Sequence, residues 1–159
     1  MNNSSFLKPS LSDKPREDLD LPSYIKDLLS EFKEAAKELG ISRIAIVGGA
    51  VRDHLIHTTL QRPLNVPKDI DLIIEGSATS LAKKIQSNLG THRVLIIREN
   101  ASYKTIEMKV DGVSIDIATA REEIYSAPAE NPQISTTTIE KDLKRRDFTV
   151  NAIAREVDP

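Results

Sequence analysis

The chain has 159 residues, 39% hydrophobic and 4% aromatic, which is enough for one domain with a real core and too apolar for a disordered chain. A net charge of −2 and a pI near 5.9 exclude a surface that is basic throughout, so any nucleic-acid contact must be local. With no cysteine there is no disulfide framework, no thiolate nucleophile and no thiolate metal site, and no apolar run is long enough to span a bilayer. The first ten residues lack the apolar core of a signal peptide, and a cytoplasmic protein is expected.

Residues 1–21 are polar, with Pro9, Pro15 and a charged run from Asp13 to Asp20, and read as a mobile tail. The globular part is expected over 22–159. Pro22 suits a first helical position, and Ile25, Leu28, Leu29, Phe32, Ala35, Ala36 and Leu39 form one apolar stripe at helical spacing, ended by Gly40. Ile44–Val47 reads as a short buried strand that stops at Gly48-Gly49, with a helix from Val51 to His57 behind it. Pro63 and Pro67 make the stretch from Thr58 a loop. Asp69–Ile74 is a strand, Ser77–Leu89 a helix and Arg93–Arg98 a strand. Thr105–Val110 and Val113–Ala118 flank Asp111-Gly112, the strongest short hairpin signal. Tyr125–Thr137 reads as a loop, and Thr138–Ala154 as a closing helix. The layout is that of a small α/β domain, helices flanking a mixed sheet that contains a hairpin.

Chemistry concentrates at Asp69-Ile70-Asp71. On a strand, residues two apart leave the same face, so both carboxylates point together while Ile70 and Leu72 enter the core. Side by side they repel, a cost that a hard divalent cation between them removes. An acidic strand end arising by chance in a chain that is 29% charged is the other reading. Asp116 opposes Ile115 and Ile117 on its strand, and is either a third carboxylate of a phosphoryl-transfer site or a solvent-facing hairpin residue. Gly48-Gly49 opens a helix whose free N–H groups attract anions, and Arg52 stands one turn in; tight packing accounts for the glycines equally well. Asp147 and Asn151 would share a helix face behind Arg146, as sugar and phosphate contacts or as an exposed charged turn. His54 and His57 read as surface or half-buried residues, without a third ligand nearby.

Taken together, Gly48-Gly-Ala-Val-Arg-Asp53, Asp69-Ile-Asp71, Ile115-Asp-Ile-Ala-Thr-Ala-Arg121 and Arg145-Arg-Asp-Phe-Thr-Val-Asn-Ala152 resemble the class II tRNA nucleotidyltransferase (CCA-adding enzyme) and bacterial poly(A) polymerase family, in order and in spacing. The resemblance covers the catalytic head and implies a polymerase β-like nucleotidyltransferase fold. It implies transfer of CMP or AMP from CTP or ATP to the 3′ end of a tRNA with Mg2+, and neither a membrane nor DNA as partner. By position, Asp69 and Asp71 would hold the metal, with Asp116 the third catalytic carboxylate. Gly48, Gly49, Arg52 and Arg121 would lie by the triphosphate, and Arg146, Asp147 and Asn151 would hold ribose and phosphates. A poly(A) polymerase head, or a nucleotide-binding module without turnover, are the alternatives. The family's base-choosing Glu-Asp-x-x-Arg motif does not occur after the last block, so a head without neck, body and tail is expected, incomplete as an enzyme.

Overall fold

The computed structural model of the chain describes residues 19–64, 66–146 and 153–157. The elements are α1 (Ser23–Glu38), β1 (Ile44–Val47), α2 (Gly49–Leu60), β2 (Asp69–Ile74), α3 (Ala78–Leu89), β3 (Val94–Asn100), β4 (Thr105–Val110), β5 (Val113–Thr119), β6 (Arg121–Ile124), β7 (Gln133–Thr136), α4 (Ile139–Arg145) and β8 (Ala154–Glu156). Six strands make one mixed sheet in the order β3-β4-β5-β2-β1-β8, with β2 and β5 parallel; β6 and β7 form a separate antiparallel ribbon.

The period-two pattern of the strands decides which face carries the core. Ile70, Leu72 and Ile74 of β2, with Ile115 and Ile117 of β5 and Ile106, Met108 and Val110 of β4, turn one way and are buried. The stripes of α1 (Ile25, Leu28, Leu29, Phe32) and α3 (Leu81, Ala82, Ile85) cover them in a single cluster. Ser77 caps α3 by accepting from the Ser80 amide at 3.2 Å. The opposite face has a much smaller apolar patch, Ala45, Val47, Ile73, Ala120 and Ile139, roofed by Leu143 of α4. That roof covers only the far end of β2, and the end bearing Asp69 and Asp71 stays open.

The hairpin forms as its Asp-Gly turn requires: Asp111 and Gly112 both have positive φ, 48° and 83°, and Val110 pairs with Val113. Other expectations need correction. The tail expected over 1–21 lies outside the described residues up to 18, but Leu19 is buried in the core and the Asp20 amide donates to His54 Nδ1 at 3.3 Å. His54 is therefore buried, only 7% exposed, and not the surface or half-buried residue expected. α2 runs to Leu60 instead of His57, and Gln61 ends it at φ 52°. The stretch expected as a loop after Tyr125 contains β7, which pairs with β6 across Pro128 and Pro132. The closing helix expected to reach Ala154 stops at Arg145; Ala154–Glu156 is instead an edge strand on β1. An antiparallel partner for the β1 edge satisfies backbone groups that a longer helix would have left open.

One side chain ties these late elements to the sheet. Arg43 donates to Glu156 at 2.6 Å, to Glu75 at 3.0 Å and to Glu140 at 2.9 Å, and Glu75 in turn accepts the Ile139 amide that starts α4 at 2.9 Å. Replacing Arg43 with Met should destabilise the fold by about 1 kcal/mol at neutral pH, since partly exposed pairs are individually weak. Arg43 holds the Glu140 carboxyl down at about 2, so its share of stability is present above the ordinary carboxylate value and is lost as pH falls toward 2. Urea melts should therefore show the gap between the two proteins narrowing by about pH 3; a constant or widening gap contradicts this.

Candidate active site

The parallel pairing of β2 and β5 sets Asp71 directly beside Asp116 and Asp69 beside Ser114. On the other side of β5, Glu107 of β4 faces Asp116, and Arg98 of β3 faces Glu107 and binds it at 3.0 Å. A row of side chains, Arg98-Glu107-Asp116-Asp71, thus crosses four strands on the face away from the main core. Burial pushes both aspartates above the usual carboxylate range. Asp71 is raised further by Asp116 and Asp69, and Asp116 by Glu107 and Asp69. A guanidinium on each flank works the other way, Arg146 on Asp71 and Arg98 on Asp116.

β1 pairs antiparallel with β2, opposing Val47 to Asp71, so the glycines that follow Val47 arrive beside that carboxylate. Gly48 has φ 72°, and a Cβ there would sit 3.3 Å from Asp71 Oδ2. A side chain at 48 would meet both backbone strain and the carboxylate. Gly48 is also the N-cap of α2, without a side-chain cap, leaving first-turn N–H groups at the mouth of the cleft. The cleft measures about 540 Å³ and is lined by Gly48, Gly49, Asp71, Asp116, Glu107, Arg98 and Arg146 among others.

The expected site residues fall into three groups. Gly48, Gly49, Asp71, Asp116 and Arg146 line the cleft, with Asp69 two residues before Asp71 on the same face of β2. Arg52 and Arg121 are not in its lining. Arg52 folds onto Asp53, donating from Nε at 2.9 Å. Arg121 is held by Glu123 at 3.1 Å and by the Tyr103 carbonyl, and lies over the Tyr103 ring at 5.1 Å. Asp147 and Asn151 lie outside the described residues. Glu107 and Arg98 escaped the sequence reading. Glu107 was within reach of it, because a two-residue turn at 111–112 pairs 110 with 113 and so places 107 opposite 116.

Among the described residues no three His, Cys, Asp or Glu side chains are arranged to hold a metal ion by themselves. Two carboxylates facing across adjacent strands, both made reluctant to ionise by burial and by neighbouring acids, remain a donor set that suits a hard divalent cation completed by other oxygen ligands.

Paired aspartates on a sheet face beside a glycine turn that opens a helix make a cleft suited to a phosphate ligand carrying a divalent ion. The fold agrees: the chain superposes on a CCA-adding enzyme in its apo form II with a TM-score of 0.70 at 32% identity, over 87% of this chain and 30% of that one. It also superposes on a tRNA nucleotidyltransferase complexed with a primer tRNA and an incoming ATP analogue (TM-score 0.58, 32% identity, 80% and 31% covered). The A-adding tRNA nucleotidyltransferase of Aquifex aeolicus is 34% identical over 116 residues, 73% of this chain and 13% of that protein. Residues 44–159 match the poly A polymerase head domain, and the chain belongs to that family. The family depends in general on divalent metal.

The electrostatics carry a prediction with a sign. For Asp71 the folded-state value lies above the ordinary one, so the ionised group opposes folding at neutral pH and the opposition fades as pH falls toward the ordinary carboxylate value. Without divalent ions, Asp71→Asn should be more stable than the wild type by up to about 1 kcal/mol at neutral pH, solvent screening limiting the gain. The advantage should vanish by about pH 4. Adding a divalent ion should stabilise the wild type and not the variant. Thermal melts in chelator check this, and a variant less stable than wild type at neutral pH contradicts it.

Proposed function

We propose that this chain is the head domain of an RNA 3′-terminal nucleotidyltransferase, which transfers CMP or AMP from CTP or ATP to the 3′ end of tRNA, in the cytoplasm, with release of pyrophosphate. The observation that supports it best is the in-register pairing of Asp71 with Asp116 beside the Gly48 turn, on a stretch of sheet left uncovered. The chain spans only 13% of the Aquifex protein and about 30% of the matched structures, so RNA grip and base choice are assigned to no residue here.

In this reading Asp69 and Asp71 hold Mg2+, an ion that takes one or two carboxylates and completes its shell with substrate phosphates and water. The ion supplies charge neutralisation at the triphosphate and favours the ionised form of the attacking hydroxyl. Asp116, the third carboxylate, faces the same substrate from the neighbouring strand. The first-turn amides behind Gly48 and Gly49 donate to phosphate oxygens, and the approach is close because neither glycine carries a side chain. Arg146 meets the nucleotide from the α4 side, with Asp147 and Asn151 as ribose and phosphate contacts. Arg52 and Arg121 reach the triphosphate only by leaving Asp53 and Glu123. The primer's 3′-oxygen bonds to the α-phosphorus, the bond from that phosphorus to the bridging oxygen breaks, and pyrophosphate departs with the electron pair.

Two measurements test the assignment. Titration with MgATP or MgCTP should show affinity falling about tenfold or more in Asp69→Ala/Asp71→Ala, with its dependence on magnesium lost; unchanged magnesium-dependent affinity removes the metal role. For the ribose contact, 2′-deoxy-ATP should bind several-fold more weakly than ATP to wild type and equally with ATP to Asp147→Ala. The same discrimination in both proteins excludes Asp147 from that role.

A further inference from the structure

Asp142 is a carboxylate with no accessible surface, in a place that the proposed chemistry does not use. It sits on α4, three and four residues before Arg145 and Arg146. Its Oδ2 accepts from the Arg121 amide at 2.8 Å and from Arg145 Nη2 at 3.1 Å, while its Oδ1 accepts from Arg146 Nε at 2.9 Å. A buried carboxylate is tolerated only when its lone pairs are taken up by charged or amide donors, and here three donors do so.

The two neighbouring arginines are held differently. Arg145 is engaged along its whole head: Nε donates to the Arg121 carbonyl at 3.0 Å, Nη2 to Asp142, and Nη1 lies 3.3 Å from Glu123. Among the described residues Arg146 is gripped by Nε alone. α4 ends there, and the backbone of Arg146 turns extended (φ −74°, ψ 136°), so its side chain reaches back along the helix to Asp142 and lines the cleft. Among the described residues its two Nη groups meet no other carboxylate. Those are the atoms that make a bidentate contact with phosphate.

We propose that Asp142 is a positioning residue for nucleotide binding: by holding Arg146 through Nε it presents the Nη pair to the triphosphate beside Asp71, and by tying down Arg145 it leaves Arg146 as the arginine of the pair that is offered. An exposed Asp–Arg pair at helical spacing would fix very little. This one is buried and also holds the start of β6, so the orientation is set by the fold. The inference rests on the reading above, in which Arg146 meets the nucleotide.

The test is a double-mutant cycle in MgATP affinity, using Asp142→Asn, Arg146→Lys and the two together. Asp142→Asn keeps size and one acceptor, and Arg146→Lys keeps charge but loses the fork. Each single variant should bind about tenfold more weakly, and the double variant no more weakly than Arg146→Lys alone. If Arg146→Lys binds like wild type, the role of Arg146 falls and this inference with it. If Arg146→Lys is weakened while Asp142→Asn is not, or the two losses multiply, only the positioning role falls. Should Asp142→Asn fail to fold, the measurement moves to the unaltered chain, by NMR of the arginine Nε–H groups. An Arg146 Nε–H protected from solvent exchange supports the proposal, and exchange at the rate of a free arginine overturns it.

Discussion

Two strands that run the same way, side by side, put one aspartate against another. That parallel contact between β2 and β5 is the constraint on which the rest of the structure depends. The alternation of each strand commits Ile70, Leu72, Ile115 and Ile117 to a core closed by α1 and α3, and the residues between them have no choice but the other face. The repulsion at Asp71 and Asp116 is therefore maintained by hydrophobic burial on the reverse side of the same sheet. Relieving it by a one-residue slip would turn every one of those isoleucines toward water, a far larger loss. The carboxylates stay paired, and a cation is the cheapest remaining relief.

The face they occupy is kept accessible by the placement of its cover. α4 roofs only Ile73, Val47, Ala45 and Ala120, and it is anchored at both ends by buried or half-buried acids, Glu75 at its start and its own Asp142 near its finish. Arg43 joins the first of these anchors to β8, so the roof and the edge strand share one guanidinium. The open half of the face then receives the glycine turn from one side and Arg146 from another. Nothing in this arrangement depends on a long element; it is built from a four-residue strand, a seven-residue helix and a three-residue strand around the sheet.

What could be read from the residues alone was whatever has a local cause. The stripe of α1, the strand at Asp69–Ile74, the Asp-Gly hairpin and the glycine-started α2 each follow from spacing or backbone preference within a dozen residues, and all are present. The carboxylates and the Gly-Gly turn were legible for the same reason. The misses share the opposite property. β7 forms straight after Pro132 because β6 offers it a ladder, and β8 replaces the end of an expected helix because the β1 edge about a hundred residues earlier needs a partner. The burial of Asp142 comes from β6 at the start of the ribbon, which helical spacing does not reveal. The engagement of Arg121 with Glu123 and Tyr103, which leaves its expected role open, likewise comes through contacts that no spacing announces.

The Gly48 amide donates to the carbonyl of Ile153 at 3.1 Å, just before β8 lies down along β1. The turn beside Asp71 thus has one of its own hydrogen bonds supplied by a residue more than a hundred positions downstream. During synthesis the glycine turn leaves the ribosome early but is completed only when residue 153 and the strand after it have followed. The cleft's glycine turn and the last strand of the sheet are therefore completed together, as Ile153 and Val157 pack against the core.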